Sequence, residues 1–338
     1  MSLLVRFLAG ALPVAAFLLA LVALDSYKLM SVRRVLRTLA AGGVVAIVCY
    51  GINTPFFALL GANDRYWAWF GAPPIEEILK AAIVVQAVRR ARVGFLVDAA
   101  ICGFAAGAGF AFVENLYYAR ALEADIFTFV LRGFGTAMMH GGTTAVVGML
   151  ARRAAAPVQG ALGGLAVAVP LHVAYNLSLL PPVAASAVLL TGLPALLAVV
   201  FARSESGLRR WLGEGFDSEL ELLEMVTGGH FLDSRAGAYL KSLKAHFAPE
   251  VVADMLCLLQ ISLELSLRAK GELLKREAGL TPAPDPAVAE KFRELEYLEK
   301  AVGRTGRLAL APLLGGGDRR AWQILMLREQ AGATARKV

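Results

Sequence analysis

Through residue 202 the apolar positions recur with no polar face, and they break into runs long enough to cross a bilayer. A helical crossing takes about 20 residues. Seven runs reach that length, at 3–24, 35–60, 66–88, 95–119, 126–150, 158–180 and 183–201. The first begins behind a short Arg6-bearing start, as a signal peptide does. It is long, however, and lacks a small-x-small pattern before Asp25, so it reads as a retained span. After Arg203 the pattern changes to amphipathic helices. Gly228-Gly229 ends one of them, Asp233-Ser234 can cap the next, and Pro249 suits the first turn of a long helix to about Glu277. The stretch 251–267 is apolar enough to suggest an eighth span. Asp254, Gln260 and Glu264 interrupt it at helical spacings, so it reads as a buried helix of a soluble bundle. Thr281-Pro282-Ala283-Pro284-Asp285-Pro286 reads as a turn or linker, and Gly315-Gly316-Gly317 as another break. The expected fold is all-α: a polytopic membrane bundle over 1–202, then a cytoplasmic helical domain over 203–338.

Composition agrees with this division. The chain of 338 residues is 57% hydrophobic and 18% charged, more apolar than a soluble domain. Its net charge of +7 comes from the membrane loops, where 14 Lys/Arg stand against 8 Asp/Glu through residue 202. The remainder is nearly balanced, so the basic surplus gives no clustered face for nucleic acid. Twelve basic residues follow spans one, three, five and seven, against three at the opposite ends. That asymmetry places the N-terminus outside and the C-terminal domain in the cytoplasm of a cell (inner) membrane protein. Cys49, Cys102 and Cys257 have no metal-type spacing and read as packing residues.

Against this apolar background, Pro73-Pro74-Ile75-Glu76-Glu77-Ile78-Leu79-Lys80 puts two carboxylates and an ammonium inside the third run. A charge near the bilayer centre costs about 2.5–3.5 kcal/mol on insertion scales, so three together require a reason. Glu76 and Lys80 share a helix face at i,i+4 and can neutralise each other, which leaves Glu77 to be met from elsewhere. Later runs supply candidates: Glu114 with Asn115, His140, and His172 with Asn176. Two acids and two imidazoles on four runs can activate water. A carboxylate in low dielectric serves as the base, and an imidazole or the Asn176 amide as oxyanion donor. The same groups, Glu77, Glu114, His140 and His172, can instead bind zinc with an open water position. No His-Glu-x-x-His is present, and the residues leave metal-dependent and metal-free chemistry open. The remaining polar residues read as structural: Asp98 as a helix start, Asn115 as an interhelical hydrogen bonder and Arg132 as a counter-charge. Gly103-x-x-x-Gly107, with Gly109, reads as a close packing face.

The order of these motifs resembles the PrsW intramembrane peptidases, distantly similar to the type II CAAX prenyl endopeptidases. The resemblance rests on Glu76-Glu77-Ile78-Leu79-Lys80, on Phe110-Ala111-Phe112-Val113-Glu114-Asn115, on His140, and on His172-Val173-Ala174-Tyr175-Asn176. It covers roughly residues 66–180. Asp98-Ala99 stands where Asp-Gly is expected. The resemblance implies an endopeptidase with Glu76, Glu77, Glu114, His140, His172 and Asn176 in its site, and it favours a metal. It implies membrane-anchored protein substrates of the anti-sigma-regulator type, cut near the extracytoplasmic face. The cytoplasmic domain could bind a protein partner. Two rival classes compete with the peptidase. An ion- or proton-coupled transporter also holds acids at mid-depth, but the chain shows no repeated halves. A catalytically inactive scaffold would work through residues 203–338.

Overall fold

The computed structural model describes residues 2–60, 64–280, 285–314 and 318–335, and their regular elements are all helical. The expected breaks at 281–284 and 315–317 lie outside these residues. The helices are α1 (Leu3–Leu24), α2 (Val32–Leu60), α3 (Asp64–Tyr66), α4 (Ala72–Arg89), α5 (Leu96–Ala121), α6 (Ile126–Thr136), α7 (Thr143–Arg153) and α8 (Pro157–Asn176). They continue as α9 (Pro182–Thr227), α10 (Arg235–Ser242), α11 (Pro249–Glu277), α12 (Pro286–Leu310) and α13 (Asp318–Ala335). Two π-helical segments interrupt the series, Trp67–Gly71 before α4 and Ala137–Gly142 between α6 and α7.

Among the described residues five helices are long and apolar enough to cross a membrane: α1, α2, α5, α8 and α9. The expected runs at 66–88 and 126–150 are not among them. In the first, α4 is 18 residues long but carries Glu76, Glu77, Lys80 and Arg89; the second is divided by a π segment into α6 and α7, 11 residues each. The run expected to reach residue 180 stops at Asn176, and Ser178 takes a positive φ of 52°. The last run does not end near residue 201 but continues as one helix to Thr227.

The chain forms two compact units, Met1–Glu205 and Ser206–Val338. In the first, α5 is the axis, buried from Val97 through Ala111. It starts where sequence places a start: Asp98 accepts from the backbone N–H groups of Gly94 and Phe95, both at 2.7 Å. Glycines let its neighbours reach the backbone. A Cβ on Gly103 would stand 2.3 Å from the Thr144 carbonyl oxygen, and one on Gly107 2.0 Å from that of His140. On Gly109 it would meet the Leu39 carbonyl oxygen at 1.8 Å. Helix–helix association in lipid relies on such small-residue contacts, because apolar area alone distinguishes little from the acyl chains.

In the second unit α12 and α13 pack on α11, which buries Met255, Leu258, Leu259, Leu265, Ala269 and Leu273. Its local signals match the sequence. Gly229 takes φ 81° just after α9, and Ser234 accepts from the Gly237 N–H at 3.0 Å to cap α10. Pro249 opens α11. His230 and His246 are exposed, as is Cys257, whereas Cys49 and Cys102 are buried. Lys270 is buried against Glu219 (2.9 Å), 5.3 Å from the centre of the Trp211 ring.

Candidate functional site

α4 turns Glu77 and Lys80 inward, and both side chains are fully buried. Lys80 Nζ lies 2.6 Å from Glu77 Oε1, so the helix pairs its charges at i,i+3. The expected pairing of Lys80 with Glu76 is therefore corrected: Glu76 faces a different helix. The residue that sequence leaves without a local partner is the one the lysine meets. A charge this deep requires full pairing, and Glu77 has it. Its Oε1 also accepts from His172 Nδ1 at 2.9 Å. The Thr143 hydroxyl is shared between Glu77 Oε2 (3.2 Å) and the Met139 carbonyl (2.6 Å).

The hydrogen bonds define the proton positions of both imidazoles. A carboxylate only accepts, so His172 carries a proton on Nδ1 and, as the neutral ring, presents a lone pair at Nε2. That lone pair faces Glu76 Oε2 across 3.8 Å, acceptor against acceptor. An ammonium only donates, so Lys80, 3.0 Å from His140 Nδ1, puts the His140 proton on Nε2. From there His140 donates to Glu114 Oε2 at 2.8 Å. Glu114 is completed by Arg132, at 3.2 Å from its Oε1, and the guanidinium lies 3.5 Å from the centre of the Tyr118 ring. Arg132 is thus the counter-charge that its sequence position suggests. The two imidazole rings meet edge to face, with centroids 5.1 Å apart.

The expected residues are not all equivalent in this arrangement. Glu76, His140 and His172 each offer one ligand atom within 4.8 Å of the others, whereas Glu77 and Glu114 stand outside that trio. The donor set fits zinc by type, two imidazoles and a carboxylate with room for water. The Glu76–His172 pair also fits by spacing. Two ligands at about 2.1 Å from one ion are at most ~4.2 Å apart, which the 3.8 Å gap satisfies. Glu76 Oε2 and His172 Nε2 present lone pairs as they stand. His140 does so only in its other tautomer, with Nδ1 protonated and the Lys80 ammonium turned from it. Glu77 on His172 Nδ1 is the carboxylate–imidazole contact that orients metal-binding histidines elsewhere. Asn176 does not point at this cluster; its amide donates to the Ala68 carbonyl at 3.0 Å and ties α8 to the π segment Trp67–Gly71. Asn115 bonds between helices, to the Gly10 carbonyl (3.2 Å) and Thr136 (3.1 Å).

Sequence reasoning missed Asn53, Trp67 and Thr143. Asn53, buried on α2, reaches Glu76 Oε1 at 3.5 Å and accepts from the Trp67 indole at 3.1 Å. An amide within an apolar run was the available signal. Both π segments were missed as well, although π-bulges gather at functional sites and His140 sits on one.

A family model described as PrsW family intramembrane metalloprotease matches residues 31–203, just over half of the chain. The match takes in α2, and with it Asn53, besides the helices that carry the acids and imidazoles. Neither the curated proteins nor the solved structures give a match.

Proposed function

Because the chain belongs to the PrsW family of intramembrane metalloproteases, and is thus a membrane-embedded peptidase, we propose that it is a zinc-dependent endopeptidase whose site is built on Glu76, His140 and His172. The observation that carries this reading is the pair of lone pairs facing each other at Glu76 Oε2 and His172 Nε2, 3.8 Å apart. With His140 completing the trio within 4.8 Å, a metal cation would satisfy the carboxylate and the neutral ring together. When bound, zinc supplies a Lewis acid and a water that ionises near neutral pH.

The protein's own groups divide the remaining work. Glu77, buried and neutralised by Lys80, holds the His172 proton on Nδ1 and keeps Nε2 free. Glu114 is the most exposed of the three acids, at 25% of its side chain. Steered by Arg132, and released from His140 when that ring would hold the metal through Nε2, it takes a proton from the attacking water and returns it to the leaving amine. Asn176 is a positioning residue that anchors α8 beside the Trp67–Gly71 segment.

The substrates would be membrane-anchored proteins of the anti-sigma-regulator type, cut near the extracytoplasmic face. Residues 1–202 would be the peptidase domain with seven crossings. In that topology the divided stretches 66–88 and 126–150 also cross, the N-terminus lies outside, and residues 203–338 form a cytoplasmic domain for a protein partner. The basic residues that follow alternate spans support that orientation. The test is metal content of the purified protein beside Glu76→Gln and His172→Ala, with cleavage of a membrane-anchored substrate read in vesicles. About one zinc per wild-type chain, lost with activity in both variants, is expected. Full cleavage by a zinc-free wild type removes the metal from the assignment.

A further inference from the structure

Glu77 is held by Lys80 one turn along its own helix, and Glu114 by Arg132 and His140. Glu76 is held from outside these motifs. We propose that Asn53 and Trp67 form a positioning clamp for the Glu76 carboxylate, a role that rests on reading Glu76 as a metal ligand and adds two residues to its support.

Donor and acceptor chemistry sets the direction of the clamp. An indole N–H can only donate, so the Asn53 atom 3.1 Å from Trp67 Nε1 is the amide oxygen. The amide NH₂ then faces Glu76 Oε1 at 3.5 Å, and a carboxylate can only accept. The reversed amide would set two donors against each other at Trp67 and two acceptors at Glu76. Each neighbour alone selects this orientation, and the two agree. By engaging Oε1, the clamp leaves Oε2 turned towards His172.

The indole is itself held. It stacks on Phe56 with centroids 4.2 Å apart and planes 13° from parallel, and Phe56 lies three positions after Asn53 on α2. Gly71 leaves room for it: a Cβ there would come within 2.3 Å of Trp67 Cε3. The π segment Trp67–Gly71 leads directly into α4 and Glu76, so the clamp ties α2 to the start of the acid-bearing helix. Asn53 is buried, which shields this chain of hydrogen bonds from water. Residues that orient a metal ligand in this way typically change affinity by roughly 10–100-fold when replaced.

The full-length protein in detergent, titrated with zinc against a competing chelator, tests the clamp. Asn53→Leu is expected to weaken zinc binding by roughly 10–100-fold. Trp67→Phe, which keeps the stacking and loses only the N–H, should weaken it in the same direction. The double variant should be no weaker than Asn53→Leu alone, because Trp67 acts through Asn53. Wild-type affinity in Asn53→Leu, or single effects that multiply, overturns the clamp. A second readout is independent of metal. In protein with isotope-labelled tryptophan, the indole N–H resonance lost in Trp67→Phe should shift in Glu76→Gln, whose side chain reaches the indole only through Asn53. An unchanged resonance overturns the clamp whatever the metal content. A shifted resonance in a wild type that takes up no zinc retains the clamp and removes the metal reading.

Discussion

Among the described residues, each unit of the protein buries one lysine, and the two have much in common. Lys80 has Glu77 at 2.6 Å and the Phe110 ring centre at 5.0 Å; Lys270 has Glu219 at 2.9 Å and the Trp211 ring centre at 5.3 Å. A buried ion pair is thus no sign of function by itself, since its desolvation cost and Coulomb gain nearly cancel. What differs is the surplus. Around Lys80, groups from α4, α5, α8 and the second π segment converge, and Glu76 Oε2 faces His172 Nε2 across 3.8 Å with no hydrogen bond between them. Lys270 faces a carboxylate and an indole, with no imidazole contact among the described residues. What sets the first site apart is imidazoles converging with carboxylates, not burial.

The largest effect that can break this contrast is on cleavage. Glu77→Gln removes the charge that balances Lys80 and the group that fixes the His172 proton. The activity of reconstituted protein should fall by up to roughly 10⁴-fold, the cost of losing the carboxylate behind a catalytic imidazole. Lys270→Met should leave cleavage per folded molecule unchanged. Loss of activity in Lys270→Met, or its retention in Glu77→Gln, would show that the two burial sites are not distinct in kind.

Stability should not separate them. Removing one partner of a buried pair costs about 3–5 kcal/mol, so Lys80→Met and Lys270→Met should destabilise to a similar degree in chemical denaturation. A much smaller loss in Lys80→Met would mean that its surroundings are solvated and the site less enclosed than described here.

Backbone packing sharpens the same comparison at lower magnitude. Gly107→Ala sets a Cβ 2.0 Å from the His140 carbonyl oxygen, which must move and carry the π segment with it. Such overpacking typically costs about 1–3 kcal/mol, and here it should also lower cleavage. Gly271, in the interior of α11, has nothing within 4 Å of its Cβ position, so Gly271→Ala should stabilise by about 0.4–1 kcal/mol. A stabilising Gly107→Ala would remove the close contact from the account of the site.

These residues also show what could be read from the chain alone. Polar groups in apolar runs announce themselves by their cost, so Glu76, Glu77, Glu114, His140 and His172 were legible, as was the structural part played by Asp98, Asn115 and Arg132. Caps and breaks were legible where one residue type has one purpose, as at Ser234, Gly229 and Pro249. Choices between near-equal geometries were not. Lys80 can reach back three or four residues with similar ease, and the choice of Glu77 goes with contacts from other helices, His172 and Thr143 on Glu77 and Asn53 on Glu76. The π segments leave no mark in composition, and α9 continues past residue 201 because nothing there breaks a helix. Asn53 was passed over because its two partners, Trp67 and Glu76, become neighbours only once α2 is in place.

The smallest effect concerns a pair in the second unit that is neither buried nor near the acids, Glu264 with Lys291. Burial pushes the Glu264 carboxyl up, but hydrogen bonds from Lys291 and Gln260 outweigh it and hold the group below the usual carboxylate range. With its folded-state pKa lowered, Glu264 contributes stability above its unfolded value of about 4.3 and loses it as pH falls through the lower folded value. Because water reaches both side chains, the pair contributes at most about 1 kcal/mol. Wild type and Lys291→Met should therefore differ by that amount or less near neutral pH, and should converge in thermal unfolding at acid pH. A difference that persists unchanged with the carboxyl protonated would assign it to the packed lysine stem, because a charge pair cannot outlast the charge.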